Sequence, residues 1–146
     1  MDIKQLAKEH LSDLLVMQLA TSKDNQPWIC NVHFLADDDM NLYWMSEPDS
    51  RHSEDIVANP RVAAAVAVST EMPLIGVQIE GDAEQLEFAD HQDILRKYAT
   101  RHNRDGFVEK ALNGAMPFKL YRLTPRLISI FDLKNFPKSP KQEWRP

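Results

Sequence analysis

The sequence of 146 residues contains one cysteine and four glycines, and it has no long hydrophobic run. The single cysteine, Cys30, can form neither an internal disulfide nor a multi-cysteine metal site. So few glycines argue against a glycine-rich dinucleotide-binding loop. No stretch approaches the roughly 20 apolar residues that span a bilayer, and residues 1–6 have no basic segment leading into an apolar one. We therefore expect a cytoplasmic protein without a membrane partner.

Basic residues are outnumbered by acidic ones. Lysine and arginine number 17 against 22 acidic residues, so the formal net charge is -5. General nucleic-acid binding needs a basic face that this balance does not supply. Three adjacent aspartates, Asp37 to Asp39, lack the spaced ligands of a calcium loop and indicate a solvated turn, so we expect no metal site. A hydrophobic content of 43% predicts one globular domain, residues 1–146.

The spacing of apolar residues predicts a mainly β domain with helices. Residues 3–15 have helical spacing, and residues 16–21 and 28–36 read as a β-hairpin. Residues 62–68 and 74–88 read as two further strands, the second bent at Gly81. Asp90 is the expected cap of a helix, residues 107–112 form a second one, and two last strands, 118–123 and 127–131, meet at Thr124-Pro125. This order predicts an α+β fold, a six-stranded split β-barrel with an N-terminal helix and a helical insertion before the last two strands.

Alternation along residues 28–36 separates two faces. We predict that one face is core and consists of Trp28, Cys30, Val32 and Phe34. The other face mixes polar and apolar side chains, namely Ile29, Asn31, His33 and Leu35. A ligand-lined wall has this composition, and so does an ordinary half-exposed strand.

Residues 41–68 read as a strand, a turn, a short helix stopped by Asn59-Pro60 and a second strand. Ser50 is the expected N-cap of the helix. Free backbone N–H groups and the positive end of the helix dipole would then gather beside Arg51. Oriented N–H donors and a guanidinium suit phosphate, although a simple helix cap beside a solvated arginine would have the same local sequence.

The order of a strand, Ser50-Arg51-His52, a short helix, Asn59-Pro60-Arg61-Val62 and another strand resembles the flavin-phosphate segment of the pyridoxamine 5'-phosphate oxidase-like, FMN-binding split-barrel family. The likeness extends from residues 16–21 to residues 118–125. It implies FMN as the cofactor, bound at the interface of a homodimer. It also implies the binding residues, with the flavin ring and ribityl chain beside Asn31, Val32, His33, Met45 and Ser46, and the phosphate held by Ser50, Arg51 and His52.

Four positions depart from the family pattern, and one of them is Gly76, where the family usually carries a glutamine that contacts the flavin. Cys30 and Leu35 stand where pyridoxamine-phosphate oxidases carry basic residues, and the second of those positions normally touches substrate. His52 replaces a lysine. The resemblance therefore implies an FMN-dependent oxidoreductase of a small molecule that is not a true pyridoxamine-phosphate oxidase. The protein itself would bind and orient the flavin, which carries the redox chemistry.

Two other functions fit the same sequence. The chain could bind flavin, haem or another planar cofactor for storage or sensing, and of its five histidines only His33 and His52 sit where a ligand could. His10, His91 and His102 fall on predicted polar helix faces and are expected at the surface. The third alternative is a β-barrel interaction module without a cofactor.

The last segment, residues 134–146, is basic and carries the aromatic residues Phe136 and Trp144. Its composition is typical of a disordered tail. The two aromatic side chains favour a surface to pack on, which a partner subunit could supply by folding the tail over its flavin.

Overall fold

A computed structural model of residues 1–146 has all eight strands in one antiparallel sheet. The helices are α1 (Ile3–Leu11), α2 (Arg51–Ala58), α3 (Gln92–Arg101) and α4 (Phe107–Leu112), and a 3₁₀ turn covers Phe88–His91. The strands are β1 (Val16–Lys23), β2 (Gln26–His33), β3 (Leu35–Ala36), β4 (Leu42–Ser46), β5 (Arg61–Ser69), β6 (Ile75–Leu86), β7 (Lys119–Asp132) and β8 (Lys141–Trp144). No helix is both long and apolar enough to cross a membrane.

The two ends of the sheet meet in the chain. The strand order is β2-β1-β5-β6-β7-β4-β3, and β8 pairs with β7. Only Phe34 separates β2 at one end from β3 at the other. The sheet must therefore curl so that its ends approach each other. Phe34 is 1% exposed and lies in the core that this curl encloses.

Two apolar clusters hold the elements together. The larger lies inside the curled sheet and under α1, and it includes Trp44, Met17 and Leu19, all fully buried. The smaller lies between the outside of the sheet and the helical insertion, where Leu95 of α3 packs near Leu120 of β7. The second cluster fixes α3 and α4 against β4 and β7. This attachment places the helical insertion near the end of β2.

The predicted fold class is confirmed. Six strands have five or more residues, while β3 and β8 are short. Asp24 and Asn25 adopt positive φ angles in the two-residue turn of the β1–β2 hairpin, as such turns require. The bend at Gly81 is also confirmed, because the register of β6 against β7 shifts between Glu80 and Gly81.

Three local predictions are wrong. The two last strands are one continuous strand, because Pro125 lies opposite Gly81 at the bulge, where β7 can lose a ladder N–H. Asp90 does not cap a helix, since the 3₁₀ turn comes first and α3 begins at Gln92. Trp28 is 41% exposed and is not a core residue. It sits on β2, which pairs only with β1.

The C-terminal segment is ordered on its own chain, so the disordered reading is wrong. Strand β8 pairs with β7, and Trp144 lies opposite Ile128. Phe136 and Trp144 both pack against the main core, and Lys4 of α1 lies 5.4 Å from the Trp144 ring centre. The surface that these aromatic side chains require is therefore supplied by the same subunit and needs no neighbour.

A candidate cofactor cleft between the sheet and the helical insertion

A cleft of ≈ 350 Å³ opens between β2, the end of β4, the start of α2 and the helical insertion. Seven of the eight residues that the resemblance assigned to FMN line it. They are Asn31, Val32, His33, Met45, Ser46, Ser50 and His52. The eighth, Arg51, does not line it. Segments that are distant in the sequence are thus brought to one site, and what they bind stays a prediction.

The start of α2 presents unused backbone donors. Ser50 occupies the N-cap position, as predicted, but its side chain makes no capping bond. Its hydroxyl instead donates to the Glu47 carbonyl oxygen at 2.7 Å and lies 2.8 Å from the Ser53 hydroxyl. The backbone N–H groups of Arg51, His52 and Ser53 therefore have no acceptor in the chain. Free N–H groups and the helix dipole favour an anion at this point.

His52 turns into the cleft and reaches the end of β4. Its Nε2 atom is 2.6 Å from the Ser46 hydroxyl oxygen. Burial lowers the pKa of His52, and the nearby Asp55 carboxylate offsets part of that shift. The imidazole is therefore neutral in the free protein at neutral pH. An anion bound beside it would favour its charged form.

Arg51 does not line the cleft, although both of its neighbours do. Its guanidinium carbon lies 4.1 Å from the centre of the Trp28 ring. The side chain is exposed to solvent. The phosphate contact that the sequence predicts for Arg51 stays a prediction. In this structure the guanidinium contacts Trp28 of β2.

The helical insertion supplies a wall that the sequence reasoning missed. Tyr98, Arg104 and Phe107 line the cleft from α3, the following turn and α4, and Phe118 lines it before β7. Burial raises the pKa of Tyr98 to about 12, so its hydroxyl stays protonated. Asn103 and Gly106 flank this turn with positive φ angles. Their presence in the sequence marks a turn that carries Arg104, but nothing local shows that it faces β2.

His102 is a second correction, because it is not a free surface residue. Its ring stacks on His33 with 4.9 Å between centres and 20° between planes. Its Nε2 atom lies 3.0 Å from the Phe34 carbonyl oxygen. Burial lowers the pKa of His102, while the bond to Phe34 acts in the opposite direction. The insertion therefore contacts the end of β2 through His102, which packs on the cleft-lining His33.

His10 is likewise not a free surface residue. Its Nε2 atom lies 2.8 Å from Asp132 Oδ2, its side chain is 13% exposed, and Asp132 is fully buried. The pair joins α1 to the end of β7. Neither residue lines the cleft, so the pair is a structural contact.

The charges and surfaces of the cleft favour an anionic ligand with a flat apolar part. Arg104 and the start of α2 provide positive potential, and Glu47 is the acidic residue in the lining. Phe107, Phe118 and Met45 provide apolar surface. A planar ring could pack on these side chains while an attached anion reaches the free N–H groups.

Comparison with known proteins identifies the family. The family model described as pyridoxamine 5'-phosphate oxidase matches residues 3–131. A UPF0306 protein of Photorhabdus laumondii is 27% identical over 101 residues, 67% of each chain. A UPF0306 protein of Yersinia pseudotuberculosis is 33% identical over 89 residues, which cover 59% of this chain and 60% of the relative. The chain thus spans about three-fifths of that relative's length.

Solved structures share the fold at low sequence identity. A conserved hypothetical protein from Mycobacterium tuberculosis has a TM-score of 0.78 at 18% identity, covering 94% of this chain and 88% of the other. HutZ of Vibrio cholerae, described as a heme storage protein, has a TM-score of 0.65 at 18% identity, and the match covers 86% of this chain and 91% of HutZ. A protein of Mesorhizobium loti described as FAD-binding has a TM-score of 0.61 at 23% identity, and the match covers 86% of this chain and 90% of the other. The sequence resemblance is confirmed, and the chain belongs to the pyridoxamine 5'-phosphate oxidase family.

Proposed function

We propose that this chain binds FMN in the cleft and uses it to transfer electrons to or from a small molecule. The observation that carries the proposal is the start of α2, where three backbone N–H groups without acceptors stand beside a cleft with an apolar wall. A phosphate on a planar ring system matches both features. The FAD-binding description of one structural neighbour supports a flavin.

The residues of the cleft fit the two ends of such a ligand. Ser50, His52 and the free N–H groups of α2 would hold the phosphate, with the Arg51 guanidinium as a further donor. Asn31, Val32, His33, Met45 and Ser46 would border the ring and its polyol chain. The Asn31 side-chain oxygen already accepts a hydrogen bond of 2.9 Å from Gln18, so this amide is held in a fixed orientation.

Bound flavin supplies hydride and electron transfer, and the chain supplies binding and orientation. Arg104 at the open side of the cleft would attract an anionic substrate or cofactor group. Met45, Phe107 and Phe118 would exclude water from the ring. His33 is exposed and lines the cleft. Cys30 and Leu35 leave the basic substrate contacts of true pyridoxamine-phosphate oxidases unfilled, which supports a different substrate. We place this activity in the cytoplasm.

We further propose that two copies form a homodimer through the outer face of the sheet. Ile29 is 62% exposed and lies on the same face of β2 as Asn31 and His33. It borders a groove of ≈ 360 Å³ lined by small residues such as Ala63 and Ala65. The groove therefore continues the cleft along β2, so a second copy on this face would also cover a ligand in the cleft. Ile29→Arg should give a monomer by sedimentation with weaker FMN binding, whereas an unchanged dimer would refute this interface.

The test of the proposed function is an absorbance spectrum of the purified protein before and after addition of FMN and desalting. Retained flavin bands in the wild type, and their loss in a Ser50→Ala, His52→Ala double variant, are the expected result. Riboflavin, which lacks the phosphate, is the matched ligand and should bind more weakly. Equal retention of FMN by wild type and double variant would refute the phosphate site. No retained flavin would refute the flavoprotein.

Haem is the second candidate, because one specific observation favours it. His33 and His52 both line the cleft, and His102 stacks behind His33. Neutral imidazole is a common iron ligand, and one structural neighbour is described as a heme storage protein. A Soret band that forms with added haem and is lost in His33→Ala, but not in His91→Ala, which changes a histidine outside the cleft lining, would support haem. Its persistence in His33→Ala and in His52→Ala would exclude both histidines as ligands.

A further inference from the structure

A cation–π contact between Arg51 and Trp28 lies outside the hydrophobic core. The Arg51 guanidinium carbon lies 4.1 Å from the centre of the Trp28 ring. Arg51 stands between Ser50 and His52, which line the cleft, and its own side chain contacts Trp28 of β2. Trp28 is 41% exposed, so part of its ring is accessible at the surface.

Strand β2 keeps Trp28 at the surface. It pairs with β1 and with no other strand, and Trp28 faces Thr21 across that ladder. Thr21 donates a hydrogen bond of 2.8 Å to the buried Asp55 carboxylate of α2. This bond fixes the helix relative to the hairpin. The distance between the start of α2 and Trp28 is thereby set by buried groups and not by the surface pair itself.

Stacking leaves the donors of Arg51 available. A guanidinium presents its face to an aromatic ring, while its five N–H groups lie in the plane and point outward. Arg51 forms none of the salt bridges in the structure, although Glu54 follows it by three residues on the helix. The guanidinium thus has no acidic partner, and it belongs to the same helix start as the free N–H groups of Arg51, His52 and Ser53.

We propose that Trp28 is a positioning residue for the anion site at the start of α2. Its ring holds the face of the Arg51 guanidinium, so that the in-plane donors are ordered before a phosphate-bearing ligand arrives. This inference rests on the proposed function and names the residue that sets its phosphate affinity. A long side chain loses conformational freedom when it binds, and prior ordering removes part of that cost. By this reasoning, removal of the ring should weaken phosphate binding roughly two- to ten-fold.

The first test measures dissociation constants of FMN and riboflavin for wild type, Trp28→Leu, Trp28→Phe and Arg51→Ala. We expect Trp28→Leu to weaken FMN binding by about two- to ten-fold and to leave riboflavin binding unchanged. Trp28→Phe, which keeps an aromatic face, should retain most of the affinity. In the Arg51→Ala background, Trp28→Leu should have no further effect, because the residue it orders is absent.

Two results of this test would overturn the inference. One is an FMN affinity of Trp28→Leu equal to that of wild type. The other is an equal loss for FMN and riboflavin, since that would show a general disturbance of the cleft. Trp28→Phe guards against a folding defect, because a fold that fails in Trp28→Leu is expected to survive in the phenylalanine variant.

The second test needs no flavin. Inorganic phosphate is titrated while tryptophan emission is recorded, and the wild-type emission should change as the guanidinium over Trp28 binds the anion. The change should be absent in Trp28→Phe, although Trp44 and Trp144 remain. A phosphate-dependent change in wild type, together with no flavin binding, would refute the proposed function and retain this inference. Flavin binding that is equal in wild type and Trp28→Leu would support the proposed function and refute this inference.

Discussion

His52 Nε2 lies 2.6 Å from the Ser46 hydroxyl oxygen, which joins the first turn of α2 to the last residue of β4. The Ser50 hydroxyl is a further neighbour of this nitrogen at 3.4 Å. Burial lowers the pKa of His52 below its usual 6.5, with a partial offset from Asp55. A neutral imidazole thus occupies this position at the start of α2 in the free protein.

The first prediction is that FMN binding depends on the charge of His52. A bound phosphate favours the protonated imidazole, so binding takes up a proton above the lowered pKa of the free protein, and affinity falls as pH rises from about 6 to 8. His52→Lys, whose side-chain charge is constant over this range, should lack this fall in affinity. The measurement is the FMN dissociation constant across that window.

The phosphate group of FMN also titrates near pH 6, with the opposite effect on binding. Because both proteins experience that titration equally, the ratio of their dissociation constants isolates His52. A ratio that does not change with pH would refute the linkage. The stability of the protein without ligand provides a separate check. Because the pKa of His52 is lower in the folded than in the unfolded state, the unfolded state takes up a proton at a higher pH. His52 should therefore reduce the free energy of unfolding only as pH falls below about 6.5.

The second prediction concerns Arg104, the cationic side chain of the cleft lining. Arg104→Ala should weaken FMN binding about ten-fold, since a hydrogen-bonded charge pair typically contributes on the order of 1.5 kcal/mol or more. The loss should diminish in high salt, which screens the pair. Arg96→Ala is the matched control, because Arg96 is exposed on α3 and pairs with Asp93. Equal losses in the two variants would assign the effect to net charge alone.

Local sequence was sufficient to predict one half of the site. Ser50 and His52 lie within a few residues of each other at a helix start, and Asn31 and His33 share a strand face, so residue order and strand alternation bring them together. The side-chain direction of Arg51 was not predictable in this way. It depends on Trp28, whose exposure follows from the position of β2 at the end of the sheet order.

The other half of the site depends on contacts that no local pattern encodes. His102 stacks on His33 across 69 positions because the cluster around Leu95 and Leu120 seats the insertion on the sheet. In the same way, the aromatic residues of the tail signalled that a surface was needed, but the pairing of Trp144 with Ile128 shows which surface. Polar helix faces gave the wrong expectation for His10 and His102, since a polar side chain can be directed at a buried carboxylate or carbonyl.

The third prediction tests the link between α1 and β7. Burial would raise the pKa of Asp132, but hydrogen bonds from the Asn135 side chain and backbone and from His10 outweigh it and lower the pKa. A lowered carboxyl pKa contributes stability above the unfolded value of about 3.9, and this contribution is lost as pH falls through the folded value. Asp132→Asn should therefore reduce the free energy of unfolding by about 2 kcal/mol at neutral pH.

Urea unfolding at several pH values checks this prediction. The difference between wild type and Asp132→Asn should shrink below about pH 4, where the wild-type carboxyl also becomes neutral. Asp13→Asn is the matched control, because Asp13 is exposed, and it should leave stability unchanged. A difference that persists undiminished in acid would show that the carboxylate charge is not what stabilises the joint.

The fourth prediction compares two glycines of strand β6. A Cβ atom added at Gly81 would lie 2.8 Å from Leu123 Cδ2 and closer still to the Thr124 carbonyl oxygen, whereas at Gly76 the nearest atom would be 3.7 Å away. Gly81→Ala forces the bulged pairing with Pro125 apart and should cost about 3 kcal/mol, the upper end of overpacking effects. Gly76→Ala should change stability by less than about 1 kcal/mol. Urea unfolding of both variants measures the difference. Equal stabilities would mean that β7 can move away at the bulge, and the close approach of the two strands at Gly81 would then not be what bends the sheet around its core.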